Sequence, residues 1–114
     1  MPPRFLDDPA FKFLRSGDLT GFQQVTENRQ TIDLSGADLR GVDFRNVDLR
    51  KLLLRDAYLR DADLRGCDLR HLDLSGASIQ GARVSGTYFP QNVDAGEIQL
   101  SLQFGTRIRT QSAR

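Results

Sequence analysis

The amino-acid sequence predicts an all-β core built as a solenoid of short strands and tight corners, with helical segments at both ends. Three observations support this fold class. A large apolar residue recurs every five positions, a second and usually smaller one precedes it by two positions, and glycine recurs between the units. We therefore divide the chain into an N-terminal helical cap (1–31), a repeat block (32–91) and a C-terminal cap and tail (92–114).

The period of five fits neither of the two ordinary secondary structures. Five residues advance a helix by about 500°, so the apolar residues would spread around its surface instead of forming a stripe. In a continuous strand an odd period would turn every second apolar residue to the opposite face. The pattern fits very short strands in which each large apolar residue, the anchor, and the residue two before it point inward, while the residue between them points outward. The twelve anchors are Leu34, Leu39, Phe44, Leu49, Leu54, Leu59, Leu64, Leu69, Leu74, Ile79, Val84 and Phe89.

Glycine is frequent where the corners between these strands must lie. A corner requires a backbone conformation that often includes a positive φ, which costs glycine little. Corners that always bend in the same direction wind the chain into a solenoid whose successive coils pair through backbone hydrogen bonds, about 4.8 Å apart. The corner glycines are Gly36, Gly41, Gly66, Gly76, Gly81 and Gly86.

The repeat units resemble a known family. SGADLRG, RGVDF and RGCDLRH are similar to the A(D/N)LXX motif of pentapeptide repeat proteins, and the twelve units cover 60 of the 114 residues. This resemblance implies a right-handed, quadrilateral parallel β-helix with four pentapeptides per coil. Twelve units then make about three coils, which rise roughly 14 Å. The resemblance says little about function, because one scaffold can serve several purposes.

The N-terminal segment predicts two short helices. In DDPAFKFLRSG an aspartate can cap a helix that begins at Pro9, and Gly17 is a typical end signal. The following DLTGFQQVTEN places Leu19, Phe22 and either Val25 or Thr26 on one face of a second helix.

The C-terminal segment predicts a helix over 95–104. Asp94 and Glu97 form a D-x-x-E capping box, and Gly105 follows as a stop signal. A strand is the alternative, because apolar residues alternate with polar ones from Ile98 to Phe104. Either element would cover the open end of the solenoid, whose unpaired edge would otherwise recruit other chains.

Composition narrows the functional classes. With 16 basic and 15 acidic residues the net charge is +1, so we expect no nucleic-acid partner, which would require a basic excess. The single cysteine, Cys67, cannot form an internal disulfide. The N-terminal stretch has no apolar signal segment, and no run approaches 18 apolar residues. We therefore expect a cytoplasmic protein with no membrane partner.

No catalytic constellation is visible in the sequence. His71, the single histidine, falls at a corner, and Cys67 falls at an inward position that favours a small core residue over a reactive thiolate. Neither has metal-ligating residues at suitable spacing. The aspartates lie at outward positions, away from any pocket that could shift their pKa. We expect a protein that is not an enzyme and that binds no metal or cofactor.

The outward residues form a regular lattice of charge. An aspartate usually precedes the anchor, and an arginine follows it in seven consecutive units. Residues 32–91 hold nine Asp, no Glu and nine Arg plus Lys. The family resemblance raises one alternative function, a DNA mimic that modulates a type II topoisomerase such as gyrase. A 14 Å rod would then need about eight excess negative charges, and the excess here is zero.

The stretch KLLLRDAYLR interrupts this lattice. Leu53 and Tyr58 replace outward aspartates, and Tyr88 does so near the end of the block. Arg55 and Arg60 follow the two changed units. These residues are either surface scatter, positions covered by a flanking segment, or a contact patch. We predict that they form an interaction site, for an unidentified protein partner or for a second copy in a homodimer, on a non-enzymatic scaffold.

Overall fold

The computed structural model describes residues 2–111. In the repeat block, each residue that forms a β-bridge pairs with the residue 20 positions away in the chain. Strands β1 (Ile32–Asp33) and β2 (Leu52–Leu53) pair in parallel, with Ile32 opposite Leu52. The remaining bridges within the block keep this offset of 20 residues, which confirms the predicted stacking of each unit on the unit four later. They are Asp38 with Tyr58, Asp43 with Asp63, Tyr58 with Ser78, Asp63 with Arg83, and Asp68 with Tyr88.

We call residues 32–51, 52–71 and 72–91 the first, second and third coils. Strands are short because only two or three residues separate one corner from the next, so β1 and β2 are the only regular strands within residues 2–111. Backbone hydrogen bonds nevertheless join the coils; the amide of Leu59, for example, donates to the carbonyl of Ser78 at 2.8 Å. The core is thus a parallel β solenoid. Its right-handed winding and four-sided cross-section remain predictions.

The anchors fill the interior of the solenoid, as the period of five predicts. Ten of the twelve, from Leu34 to Ile79, are buried, and Cys67 is buried beside them at one of the smaller inward positions. Val84 and Phe89, the last two anchors, are only partly buried. The interior is therefore well covered along the first two coils, where Val47 is the partly buried inward residue, and incompletely covered at the end of the third.

The corners have the backbone conformation that the glycine pattern predicts, although two corners of the second coil reach it with aspartate in place of glycine. The six predicted corner glycines have φ between +68° and +76°. In the second coil two of the equivalent corners hold Asp56 and Asp61, with φ of 60° and 59°. Aspartate tolerates this left-handed region better than most residues, because its short side chain can hydrogen-bond locally. The second coil thus differs from its neighbours at its corners as well as at its outward positions.

Two helices cover the N-terminal end, as predicted. Helix α1 (Pro9–Ser16) begins after Asp8, whose carboxylate accepts a hydrogen bond from the Ala10 amide at 2.9 Å, and it ends at Gly17 with φ 77°. Helix α2 (Leu19–Thr26) is capped in the same way by Asp18. Their buried apolar faces join the core of the solenoid through Phe11, Leu14 and Phe22.

The C-terminal segment forms helix α3 (Ala95–Phe104), so the helix prediction is confirmed and the strand alternative is wrong. The predicted capping box is also wrong, because the Asp94 side chain makes no cap hydrogen bond. Asp94 instead accepts from Gln111, and Glu97 accepts from the amide and guanidinium of Arg109. The tail folds back along the helix, so that Glu97 is bound by the charged guanidinium of Arg109 and Asp94 by the side-chain amide of Gln111. A charged donor binds a carboxylate more strongly than a neutral amide does, which favours the Glu97–Arg109 pair over the cap. No helix within residues 2–111 is both long and apolar enough to cross a bilayer.

The two terminal segments each add a strand-like pairing to the solenoid. Arg4 donates its amide to the carbonyl of Gly36 at 3.0 Å and accepts from the amide of Asp38 at 2.9 Å. At the opposite end, Ile108 accepts from the Gly76 amide and donates to the Ala77 carbonyl, both at 2.8 Å. Main-chain pairing by segments outside the repeats is therefore one way in which this fold closes its edges.

Candidate protein-interaction surface

Most outward aspartates are bound by the arginine two residues later. Asp63 illustrates the geometry: it accepts from the backbone amide of Arg65 at 3.2 Å and from two guanidinium nitrogens at 2.9 and 2.7 Å. This motif arises because the corner turns the arginine back over the preceding strand. The same arrangement joins Asp38 to Arg40, Asp43 to Arg45, Asp48 to Arg50, and Asp68 to Arg70.

These pairs keep the carboxylates ionised. The side-chain hydrogen bond from Arg50 lowers the pKa of Asp48 to about 2, and that from Arg65 lowers the pKa of Asp63 to about 2. A carboxylate with so low a pKa cannot act as a general acid near neutral pH. The charge lattice is therefore a set of satisfied ion pairs on the surface.

The second coil breaks this arrangement at Leu53 and Tyr58, and the two arginines that follow have lost their usual acceptor. Arg55 reaches instead to Asp73 on the third coil, at 3.4 Å. Arg60 approaches Asp61 at 3.8 Å, close to the limit of an ion pair. Both arginine side chains are more than half exposed, so these ion pairs contribute little to stability.

Tyr58 is half-buried beneath the C-terminal tail. The guanidinium of Arg107 lies over its ring, 5.1 Å from the centroid, and donates to its hydroxyl at 2.6 Å. The sequence left three interpretations of Tyr58 open, and this contact corresponds to the one in which a flanking segment covers the residue. Tyr58 also lines a groove of about 340 Å³, together with Arg4, Asp56 and Arg107. Tyr58 is therefore less accessible to a partner than Leu53 and Tyr88.

Of the three predicted site residues that replace an outward aspartate, Leu53 and Tyr88 remain open to solvent. Leu53 is 43% exposed, and Tyr88 is 58% exposed although the Arg70 guanidinium lies 4.9 Å from its ring centroid. They stand in different columns of the solenoid, since Leu53 is aligned with Asp33 and Tyr88 with Asp68. The structure thus presents two separate apolar points on the charged lattice rather than one continuous patch.

The caps carry further exposed apolar side chains that the repeat analysis missed. Phe5 is 70% exposed and packs edge-on against Phe11, and Phe104 is 66% exposed on α3. Leu100 lies one turn before Phe104 on the same helix and is 41% exposed. Their spacing of four residues is a helical signal, which the alternation of apolar residues in this segment obscured.

A family model described as Pentapeptide repeats (8 copies) matches residues 32–52 and 53–89. The chain belongs to the pentapeptide repeat family. Among curated proteins, no significant sequence match was found. Membership is consistent with a scaffold or interaction module, and it accounts for the period of five, the corner glycines and the inward anchors together.

Cys67 and His71 of this pentapeptide repeat protein lie in surroundings that suit a structural role. Burial raises the pKa of the Cys67 thiol, and its sulfur lies 3.5 Å from the carbonyl oxygen of Phe44. A thiol with a raised pKa is a poor nucleophile. His71 lies exposed at its corner, as predicted. Within residues 2–111, no three His, Cys, Asp or Glu side chains come together in a group that could hold a metal ion.

Proposed function

We propose that this chain is a non-enzymatic, cytoplasmic scaffold that binds a protein partner through the outside of a right-handed, four-sided β-helix of about three coils. The observation that carries the proposal is the exposure of Leu53 and Tyr88 at positions where the repeat otherwise places an aspartate paired with an arginine. An apolar side chain cannot take the place of the aspartate in such an ion pair, and we assign these two side chains to contact with another molecule.

The solenoid suits such a role because it is rigid before it binds. Within residues 2–111, no buried side-chain nitrogen or oxygen lacks a hydrogen-bond partner. The ten buried anchors hold the backbone in register, so association orders few additional side chains on this chain. A rigid platform can therefore convert a small contact area into useful affinity.

The partner must cover more than the two apolar points. Burying a side chain such as Leu53 contributes at most about 1.5–3 kcal/mol. A standard interface buries about 800 Å² on each partner, which is larger than one side of a three-coil solenoid. We therefore expect contacts to continue from Leu53 or Tyr88 across a corner or onto a terminal cap.

Restoring the repeat consensus tests this proposal. The double variant Leu53→Asp with Tyr88→Asp replaces both apolar points with the residue that the other units carry, so it should keep the fold. A tagged wild-type chain should recover its partner from a lysate of the native host in a pull-down. We expect the double variant to recover at least tenfold less of that partner. Arg45→Gln, which removes the ion pairs to Asp43 and Asp63 elsewhere on the surface, is the matched control. Equal recovery by the double variant and the control would refute the role of these residues.

A further inference from the structure

Half of the terminal edge of the solenoid is unpaired. In the second coil, the backbone amides that point toward the third coil all find an acceptor along 64–69. These hydrogen bonds join the amide of Leu64 to the carbonyl of Arg83, Gly66 to Ser85, and Leu69 to Tyr88, at 2.7–2.9 Å. The third coil is the last, so its own amides need acceptors from elsewhere.

The C-terminal cap supplies such acceptors over only part of the third coil. Ile108, Ser101 and Leu102 accept from three amides along 76–81. Along 82–89, which we call the open edge, the equivalent groups have no hydrogen-bond partner within residues 2–111. They are the amides of Val84, Gly86 and Phe89 and the carbonyls of Ala82 and Thr87.

The inward side chains of the open edge are also incompletely covered. Val84 and Phe89 are partly buried, whereas Leu64 and Leu69, one coil below them, are each 1% exposed. Helix α3 accepts hydrogen bonds from the amides of Ile79 and Gly81, and within residues 2–111 it makes none to the stretch 82–89. The open edge thus combines unpaired main-chain groups with apolar surface, which is the combination that an added strand satisfies.

The chain already uses strand addition to close other edges. Ile108 lies against Gly76 and Ala77 in this way and is only 2% exposed, and Arg4 pairs with the first coil at the opposite end. We propose that the open edge binds an extended segment of a partner protein, which adds as a further strand above 82–89. This inference rests on the proposed interaction role and specifies how the partner is bound.

The side chains of the open edge indicate the sequence of that segment. Arg83 stands at an outward position, in the column of Asp43 and Asp63, and makes no ion pair within residues 2–111. An outward residue on an added strand would lie about 4.8 Å from it, so an acidic residue is favoured there. Its two neighbours point inward onto Ala82 and Val84, which are partly buried, and should be apolar. The segment therefore has the pattern apolar–acidic–apolar.

A second copy of this chain fits the open edge less well. Residues 82–89 contain an arginine and no Asp or Glu. Two open edges paired about a two-fold axis would present the same residues to each other and would leave both arginines without a carboxylate. Charge complementarity therefore favours a different, acidic strand.

A peptide from the chain itself provides a defined probe. The peptide ADLRGADLR, which is the sequence of 62–70 with Cys67→Ala, has the predicted pattern and would place its first aspartate beside Arg83. We expect saturable binding to the full chain by fluorescence anisotropy, with a dissociation constant below about 1 mM. Changing that aspartate to lysine should weaken binding at least tenfold.

A charge exchange makes the test specific to Arg83. The variant Arg83→Asp should reverse the preference, binding the lysine peptide more tightly than the aspartate peptide. Arg50→Asp, the same charge change at an exposed position in the first coil, should leave the preference unaltered. Equal effects of the two variants would mean that only net charge matters, and this would overturn the assignment of the site.

Main-chain pairing has its own readout. Methylating the amide nitrogens of both peptide aspartates removes two of the five expected hydrogen bonds and should abolish measurable binding. At saturation, the amides of Val84, Gly86 and Phe89 should exchange hydrogen at least tenfold more slowly, while Leu64 stays unchanged. Binding that survives methylation, or that leaves these three amides fast, would overturn the inference.

The remaining outcomes are also decisive. If light scattering shows a doubled mass and the three amides are protected without peptide, a second copy occupies the edge and the inference is wrong. If no peptide binds but the double variant of Leu53 and Tyr88 still loses its partner, the proposed function stands and strand addition fails. If the peptide binds and that partner loss is absent, the open edge is the site and the two apolar points are not.

Discussion

The corner of the third coil that faces Asp56 offers the sharpest test of how the coils stack. Gly76 has φ +76°, and a Cβ atom placed on it would collide with the carboxylate of Asp56. Gly41 has nearly the same φ, +74°, but a Cβ atom there would meet nothing. The substitutions Gly76→Ala and Gly41→Ala therefore share the backbone penalty and differ in the contact with the neighbouring coil.

The expected magnitudes follow from these two terms. An alanine in the left-handed region costs about 1–2 kcal/mol, and both variants lose this amount of unfolding free energy. Gly76→Ala must also displace the Asp56 side chain, which is 64% exposed and can rotate away at a cost of about 0.5–1.5 kcal/mol. We expect Gly41→Ala to lose about 1–2 kcal/mol and Gly76→Ala about 1.5–3.5 kcal/mol.

Urea unfolding followed by circular dichroism measures both losses, and a third substitution isolates the contact. In an Asp56→Gly background the collision disappears, so the cost of Gly76→Ala should fall to that of Gly41→Ala. Two results would show that the coils do not stack with Asp56 below Gly76. One is that Gly76→Ala and Gly41→Ala lose the same unfolding free energy with Asp56 present. The other is that Gly76→Ala still loses more in the Asp56→Gly background. The register of 20 residues would then be in error at this corner.

Three further predictions follow from other contacts. Hydrogen bonds from arginine lower the pKa of Asp48 and Asp63 from 3.8 to about 2, so their contribution to stability is complete above about pH 4 and is lost as the pH falls toward 2. Urea midpoints should therefore be lower at pH 2 than at pH 5, and equal midpoints would contradict this. Ile108→Ala removes a residue that is 2% exposed and should cost about 2–4 kcal/mol of unfolding free energy in urea; a loss below about 1 kcal/mol would mean that the tail is not docked. Arg107→Ala should cost about 1 kcal/mol or less in the same assay and shift the Tyr58 ring protons in NMR spectra, whereas unshifted ring protons would exclude the contact.

The repeat block could be predicted from sequence because its stabilising pattern is local and redundant. An error at any single anchor would leave eleven others to define the period, so the pairing of Ile32 with Leu52 follows from counting residues. The helix caps at Asp8 and Gly17 were equally predictable, because each depends on residues within a few positions along the chain.

The details that concern recognition depend on contacts between distant parts of the chain. Arg107 covers Tyr58 from 49 residues away, and the tail diverts Glu97 from its expected cap through Arg109. No short-range sequence pattern predicts that α3 hydrogen-bonds to the stretch 76–81 and not to the stretch 82–89. The sequence therefore identified the interrupted lattice, while the distinction between a covered Tyr58 and an exposed Tyr88 required the folded chain.

The pairing of charge within the repeats also bears on what this surface can recognise. A duplex DNA mimic must present carboxylates whose charge is not cancelled nearby, yet here most outward aspartates are bound by the arginine two residues later. Asp63, for example, is bound by Arg65 and is also approached at 3.3 Å by Arg45, which binds Asp43 as well. A partner that recognises only net charge would therefore be attracted weakly to this surface, because its positive and negative charges largely cancel. What distinguishes it are Leu53, Tyr88 and the unpaired main chain along 82–89, and these groups favour apolar contact and strand pairing over electrostatic mimicry.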